Sequence, residues 1–517
     1  MTQRIVTILA CVLFFAVCSG FLSAATAERP NIVFIMADDL GWRDTSPYGS
    51  KYYPTPHIDR LSQRGMRFTR AYAANPFCSP TRASIMTGLW PARIGITVPA
   101  CHVEEVVTEK CGLVERGHPG VRTRNAISLT RLKQEYRTLA EELKDAGYAT
   151  GHFGKWHLGR DPYNPQNQGF DIDVPHWSGP GPNAYLPPWK FPKAIAEWFI
   201  PKHDREHIED RMADEAIAFM EANKGKPFYL NYWAFSVHSP WQAKPELIDQ
   251  YEFSRDPASE QRNALYAAMI HSLDDAVGKL IDALDRLHLA DKTLIVFTSD
   301  NGGIAEKVQQ FEDPITSNQP LRAGKGAVYE GGVRVPFIVS WPNHVQAGSV
   351  CGEIIQSVDY YPTFLDLLGI KPKEGQPFDG ISILPALKGG KLNRDAIYCH
   401  IPHTNSPLLD YLAGTAVWEG DWKLIRFYCK SDDLTDTFEL YNLKDDISET
   451  RDLAKEHPDR VASMKKKMDA FLKDTDAVIP TVNPFYRELP ADHPMQQERE
   501  RVIEKEKREG PSKQGGQ

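Results

Sequence analysis

The sequence predicts an α/β fold: a large mixed, mostly parallel sheet flanked by helices, with a smaller C-terminal α+β unit built on an antiparallel sheet. Three features predict it. Asn31–Ala37 and Thr293–Ser299 are apolar runs with no polar alternation, the pattern of strands buried on both faces. Between them, helical patterns at 138–146, 208–222 and 261–287 alternate with short apolar runs at 148–153 and 227–235, the order of an open α/β sheet. After Gly389-Gly390 the runs become shorter and alternate, at 416–418, 422–428 and 438–443, before a last helix at 457–472.

Residues 1–27 read as an export leader: Arg4 supplies the positive start, Ile5 to Phe21 the apolar stretch, and Ala25-Thr26-Ala27 the small-residue cleavage site. A retained anchor is the alternative. No later stretch has the roughly 18 to 20 uninterrupted apolar residues of a membrane span. The mature protein is therefore expected to be periplasmic or secreted. The sequence contains no Asn-x-Ser/Thr acceptor, which favours a bacterial exported protein over a lysosomal glycoprotein. At 517 residues the chain is long for one core. The division we expect is a catalytic unit over 28–390, an α+β unit over 391–486, and a charged, Gly/Pro/Gln-rich disordered tail over 487–517. A formal net charge of -8 argues against nucleic-acid binding, and any anion site must be a local cationic pocket. Cys101, Cys111, Cys351, Cys399 and Cys429 are left once the leader and Cys78 are set aside. Cys101 with Cys111 and Cys399 with Cys429 are the candidate bridges in an oxidising compartment.

The first strand ends in Asp38-Asp39, and the Thr293 strand ends in Asp300-Asn301. Adjacent carboxylates at the end of a buried strand repel each other and call for a cation or several donors. Carboxyl ends of strands in an open α/β sheet share one crevice, and hard divalent cations take such oxygen ligands. A solvated acidic turn is the competing reading. Cys78 follows the chain-breaking Asn75-Pro76 and precedes a helix-compatible stretch. A thiol at a helix N-terminus would be acidified and reactive, although a buried structural cysteine fits the same residues. Lys155 and His157 are two apart after a strand, so in extended chain they share a side. His238 sits at another strand end. Lys325 lies in the glycine-rich stretch 321–336, which lacks the Gly-Lys-Ser/Thr ending of a nucleotide loop. Arg334 reads as structural, pairing an acid at that loop's base.

Cys78-Ser79-Pro80-Thr81-Arg82, extended through Thr87-Gly88-Leu89-Trp90-Pro91-Ala92-Arg93, resembles the signature of type I sulfatases, and Gly154-Lys155-Trp156-His157-Leu158-Gly159 is similar to a second motif of that family. The resemblance runs from about residue 30 to about 480. It implies an alkaline phosphatase-like fold and a formylglycine (3-oxoalanine) made from Cys78 by a generating or maturase enzyme. It also implies Ca2+ held by Asp38, Asp39, Asp300, Asn301 and residue 78. Mg2+, the alternative, tolerates a crowded all-protein cage poorly. By the same resemblance Lys155 and Lys325 bind sulfate, His157 contacts the formylglycine hydroxyl, His238 protonates the leaving group, Asp300 is the base and Arg82 orients residue 78. The implied reaction is hydrolysis of a sulfate ester, on a sulfated carbohydrate or aryl sulfate. Aromatic loops (Trp177, Tyr185, Trp189) with Arg322, His400 and His403 suggest a sugar pocket. The resemblance there is to bacterial enzymes acting on galactose or N-acetylgalactosamine sulfates. Two alternatives remain: a phosphomonoester or phosphonate hydrolase of the same superfamily, and a non-catalytic glycan-binding relative.

Overall fold

The computed structural model describes residues 29–305, 313–373, 375–404 and 411–488, with residues 490 and 492. The expected leader, and all but four residues of the expected tail, lie outside the described residues. The main sheet has eight strands, in the order Ile172–Val174, Ala149–Gly154, Phe228–Trp233, Asn31–Ala37, Thr293–Ser299, Arg334–Ser340, Met66–Tyr72, Ser349–Gln356. Seven run in one direction. Only the Arg334 strand runs against them, antiparallel to both of its neighbours.

The Asn31 strand is central and buried along its whole length. Its side chains divide between the two faces: Val33, Ile35 and Ala37 join the core under helices Ile208–Asn223 and Ala264–Arg286. Ile32, Phe34 and Met36 join the core under helices Cys78–Thr87 and Tyr360–Leu368. This two-sided burial is why the strand carries no polar alternation.

The second sheet is antiparallel and four-stranded: Ile397–Ile401, Gly414–Glu419, Trp422–Phe427, Thr437–Asn442. Val417, Leu424 and Leu440 face helix Pro458–Asp474 through Met464, Met468 and Phe471. Ala416, Trp418 and Ile425 face the large unit's Tyr72, Tyr329 and Val333. A buried ionic knot crosses that junction. Lys423 Nζ stands 3.1 Å from Glu330 and 2.6 Å from Glu449, and Glu330 also accepts from Tyr72 and Trp418.

Three of the longer strands carry no sequence signal strong enough to be read. Met66–Tyr72 interleaves Arg67, Thr69 and Arg70 with its apolar residues; Ser349–Gln356 is a half-exposed sheet edge; and Ile397–Ile401 contains Cys399 and His400. The two candidate disulfides are corrected. All six described cysteines are free thiols; Cys101 is buried while Cys111 is exposed, and Cys399 and Cys429 are both buried but not bridged.

Candidate active site

Strand ends bring the polar residues to one rim. Asp38 and Asp39 follow Ala37, Asp300 and Asn301 follow Ser299, Lys155 follows Gly154, and His238 lies five residues past Trp233. The main-chain ladder continues beyond the strands proper: Ala234 N–H donates to Met36 (2.9 Å), Asp38 N–H to Ser236 (2.9 Å), Val237 N–H to Asp38 (2.7 Å) and Lys155 N–H to Trp233 (2.8 Å). The site residues are therefore extensions of the sheet rather than tips of free loops. Gly154 makes the close pass available: its φ is +110°, and a Cβ there would lie 1.9 Å from the Trp233 carbonyl. The antiparallel Arg334 strand enters the sheet at the rim where its parallel neighbours leave it. Its entry loop, with Lys325, consequently reaches the same place. Arg334 itself pairs with Glu330 at 3.4 Å, the acid at the loop's base.

Asp38, Asp39, Asp300 and Cys78 each offer a ligand atom within 4.8 Å of one another, all buried. Asn301 joins them, its Nδ2 donating to Asp39 Oδ1 at 2.8 Å. Asp38 Oδ1 and Asn301 Oδ1 are buried oxygens with no hydrogen-bond partner. Three clustered carboxylates and two orphaned oxygens form an oxygen-rich donor set that fits a hard divalent cation. The cluster's energetics say the same. Burial pushes the Asp38 carboxyl up to about 8, with Asp300 and Asp39 adding to the rise against Lys155 and Arg82. At Asp39 burial also pushes up, but Lys325, His238 and Lys155 outweigh it and the net shift is downward. Each acid has a basic partner: Lys155 Nζ to Asp38 Oδ2 at 2.6 Å, Lys325 Nζ to Asp39 Oδ2 at 2.7 Å, and Arg82 Nε to Asp300 Oδ2 at 2.9 Å. Arg82 also donates to the Lys155 carbonyl (2.6 Å) and lies over the Trp233 ring at 5.1 Å.

Cys78 opens helix Cys78–Thr87 and is 1% exposed, with Sγ 3.5 Å from Lys325 Nζ and 3.9 Å from Asp39 Oδ1. The expectation of an acidified thiol is corrected. Burial pushes it up to about 12, and Lys155 and Lys325 only partly counter this, because Asp38 and Asp300 act in the opposite direction. The helix N-terminus does not overcome desolvation beside two acids.

His238 Nδ1 donates to the Ser239 carbonyl at 2.6 Å, which leaves Nε2 facing Asp39 Oδ2 at 3.8 Å. Burial, reinforced by Lys155, holds it down at about 3. Its turn is held by Tyr185, whose hydroxyl shares its one hydrogen between the Phe235 (2.6 Å) and His238 (2.8 Å) carbonyls, and by Glu209, which accepts the Ser236 N–H at 2.8 Å. His157 has φ +56°, a strained setting for a non-glycine residue. Its Nε2 meets Nδ1 of His102 at 2.9 Å. Sequence reasoning missed His102 and Glu209: neither lies in a motif, and only tertiary contact shows what they touch.

The expected substrate residues are engaged by other protein groups. His400 is on the small sheet, 3% exposed, bonded to Thr415 Oγ1 at 2.7 Å and to the Val478 carbonyl at 3.1 Å. His403 is 5% exposed and bonded to Thr97 at 2.7 Å. Arg322 reaches the Tyr441 hydroxyl and the Glu449 carbonyl, both at 3.2 Å, and covers the Tyr329 ring. Tyr185 and Trp189 are buried and unavailable for stacking on a sugar. Trp177 remains half-buried; it donates to Gly181, which packs against the His238 ring. The structure thus gathers Asp38, Asp39, Cys78, Arg82, Lys155, His157, His238, Asp300, Asn301 and Lys325, while Arg322, His400 and His403 spend polar atoms on other protein groups.

A family model described as Sulfatase matches residues 30–370. The chain belongs to the sulfatase family. A second model, described as the C-terminal part of N-sulphoglucosamine sulphohydrolase, matches residues 324–476 of this sulfatase. It is 30% identical to N-acetylgalactosamine-6-sulfatase of Sus scrofa, covering 79% of this chain and 76% of that one. It is likewise 30% identical to a sulfatase of Formosa agariphila, covering 87% and 90%. Among solved structures, Ps i-CgsB superposes with a TM-score of 0.70 at 30% identity, covering 92% of this chain and 98% of the other. The phosphonate monoester hydrolase of Agrobacterium radiobacter shares the fold, with a TM-score of 0.60 at 19% identity. The sulfatase is a sulfuric ester hydrolase on the alkaline phosphatase superfamily fold. No helix among its described residues is long and apolar enough to cross a membrane.

Proposed function

We propose that this sulfatase is an exported, exo-acting carbohydrate sulfatase that works through a formylglycine at position 78 and a Ca2+ ion. The observation that carries the reading is the convergence of three acids, three basic side chains and two histidines around a buried residue 78. The substrate class draws on the relatives: N-acetylgalactosamine-6-sulfatases, and a 30%-identical structure determined with k-i-k-neocarrahexaose. A galactose or N-acetylgalactosamine sulfate is the substrate we propose.

Asp38, Asp39, Asp300 and Asn301 would hold the ion. When present, the residue-78 hydrate would supply one hydroxyl to attack sulfur and a second that loses its proton to re-form the aldehyde as the first oxygen leaves with the sulfate, and Ca2+ would draw charge from the sulfate oxygens. Lys155 and Lys325 bind those oxygens as charge shifts onto them. With its Nδ1–H committed to Ser239, His238 faces the leaving alcohol through Nε2 and protonates it only as the imidazolium, a form that the charge of a bound sulfate would favour. Arg82, braced on Asp300 and the Lys155 carbonyl, orients the start of the Cys78 helix. His157 is the proton acceptor for the second hydroxyl. In this reading residues 28–390 form the catalytic unit and 391–486 the flanking one, and a maturase acts on the Cys78 motif before the site closes. The test is a panel of defined sulfated mono- and disaccharides beside aryl sulfate and aryl phosphate. Sulfate release from galactose-type sugars is expected; faster cleavage of the phosphate, or no sugar sulfate turned over, would contradict the reading.

A further inference from the structure

His102 has no part in the reaction set out above, yet its loop is tied down beside the site. Four successive carbonyls are held by two arginines. Arg131 donates to Cys101 (3.3 Å), Val103 (2.8 Å) and Glu104 (3.4 Å), and Arg160 donates to His102 (2.9 Å). Arg131 is itself buried. Its path runs over Gly159, where φ is +133° and a Cβ would lie 2.8 Å from Arg131 Cδ. A buried guanidinium committed to main-chain carbonyls fixes a loop in one conformation. What that conformation delivers is the His102 ring, with Nδ1 2.9 Å from His157 Nε2.

Between two neutral imidazoles such a contact holds one proton, and the surroundings decide whose it is. Were His102 the donor, the one proton of a neutral His157 ring would sit on Nδ1, where a buried N–H would have no partner. As the acceptor, His102 presents a lone pair at Nδ1. The shared proton then belongs to His157 Nε2. The other nitrogen of His157, Nδ1, is buried and has no partner, and Ser79 fixes the same residue's carbonyl at 2.7 Å.

We propose that His102 is a positioning residue: it accepts the Nε2–H of His157 and so keeps that ring as one tautomer, with a bare Nδ1 as its basic atom. A proton taken up at Nδ1 then leaves an imidazolium whose Nε2–H is still held by His102, with no rearrangement. The consequence for turnover rests on His157 being the proton acceptor proposed above. The tautomer itself does not.

The experiment therefore has two arms, on wild-type protein, His102→Ala and His102→Asn, whose amide oxygen can accept at the position of Nδ1. In full-length protein carrying an unmodified Cys78, 15N resonances of the His157 ring, assigned with His157→Gln, report the tautomer. A protonated Nε2 and bare Nδ1 are expected in wild type and His102→Asn, and a mixed or reversed ring in His102→Ala. In modified enzyme, with aldehyde content measured on each preparation, His102→Ala should lower kcat on the order of 10- to 100-fold with KM within about twofold, and His102→Asn should recover most of the loss. A wild-type His157 protonated at Nδ1, or His102→Asn as slow as His102→Ala, overturns the proposal. Wild-type turnover without an aldehyde would strike the formylglycine reading instead, while the resonances still decide the tautomer.

Discussion

The ammonium of Lys155 lies 2.6 Å from Asp38 Oδ2, and neither side chain is exposed to solvent. The pair sits where two further carboxylates press on Asp38, so each member depends on the other. Removing one partner of a buried pair typically costs on the order of 3–5 kcal/mol. Lys155→Met is expected to lower the thermal midpoint and abolish sulfate release. Adding Asp38→Asn should return part of the midpoint and none of the activity, as read by calorimetry beside a sulfate assay. A double variant no more stable than the single one would show that the pair is not what holds this region.

Chelation tests the oxygen cluster. With a resident divalent ion, excess EDTA should lower both the midpoint and turnover, and Ca2+ should restore them better than Mg2+. An ion present at a hundred times its dissociation constant adds about 2.7 kcal/mol to the folded state. Asp300→Asn should remove most of the chelator's effect on the midpoint. A protein indifferent to EDTA and Ca2+ alike would leave the orphaned Asp38 and Asn301 oxygens without a cation.

The junction between the two sheets should respond to pH through Glu449. Burial pushes its carboxyl up from 4.5 to about 7, with Lys423 lowering it and Glu330 raising it. An acid whose folded pKa is raised contributes stability fully present below its unfolded value and lost as pH rises through the folded one. Its contribution should thus fall between about pH 4.5 and 7 and stay flat above. Glu449→Gln, measured against wild type across that window, should remove this downward component. A difference curve that rises with pH there would contradict the assignment.

Much of the site was legible because buried parallel strands are continuous apolar runs that stop abruptly at polar residues. Asp38, Asp300, Lys155 and His238 all stand at or just past such stops. Apart from the family resemblance, Lys325 was legible only as a lysine among glycines. Its arrival at the rim depends on one strand running backwards, which spacing cannot show. His400 misled because Ile397–Ile401 is short and carries polar residues, so a buried strand histidine passed for a loop one. Cys78 misled in the opposite sense: a helix start is visible in sequence, whereas the two acids and the burial that defeat it are not. The Lys423, Glu330 and Glu449 knot was invisible, since charge in a sequence reads as surface.

His400 gives a direct check on that correction. Both ring nitrogens are engaged inside the small unit, and stranding buried polar partners costs roughly 1–3 kcal/mol. His400→Ala should lower the midpoint while leaving KM for any sulfated substrate unchanged. A raised KM with an unchanged midpoint would restore it to the substrate pocket.

The identity of residue 78 in active enzyme bears most directly on the whole account. Mass spectrometry of the peptide spanning Phe77 to Arg82, on preparations of graded specific activity, should show the thiol sulfur lost, an aldehyde gained, and activity rising in proportion to the aldehyde fraction. Full sulfate release from protein whose Cys78 is intact would contradict it.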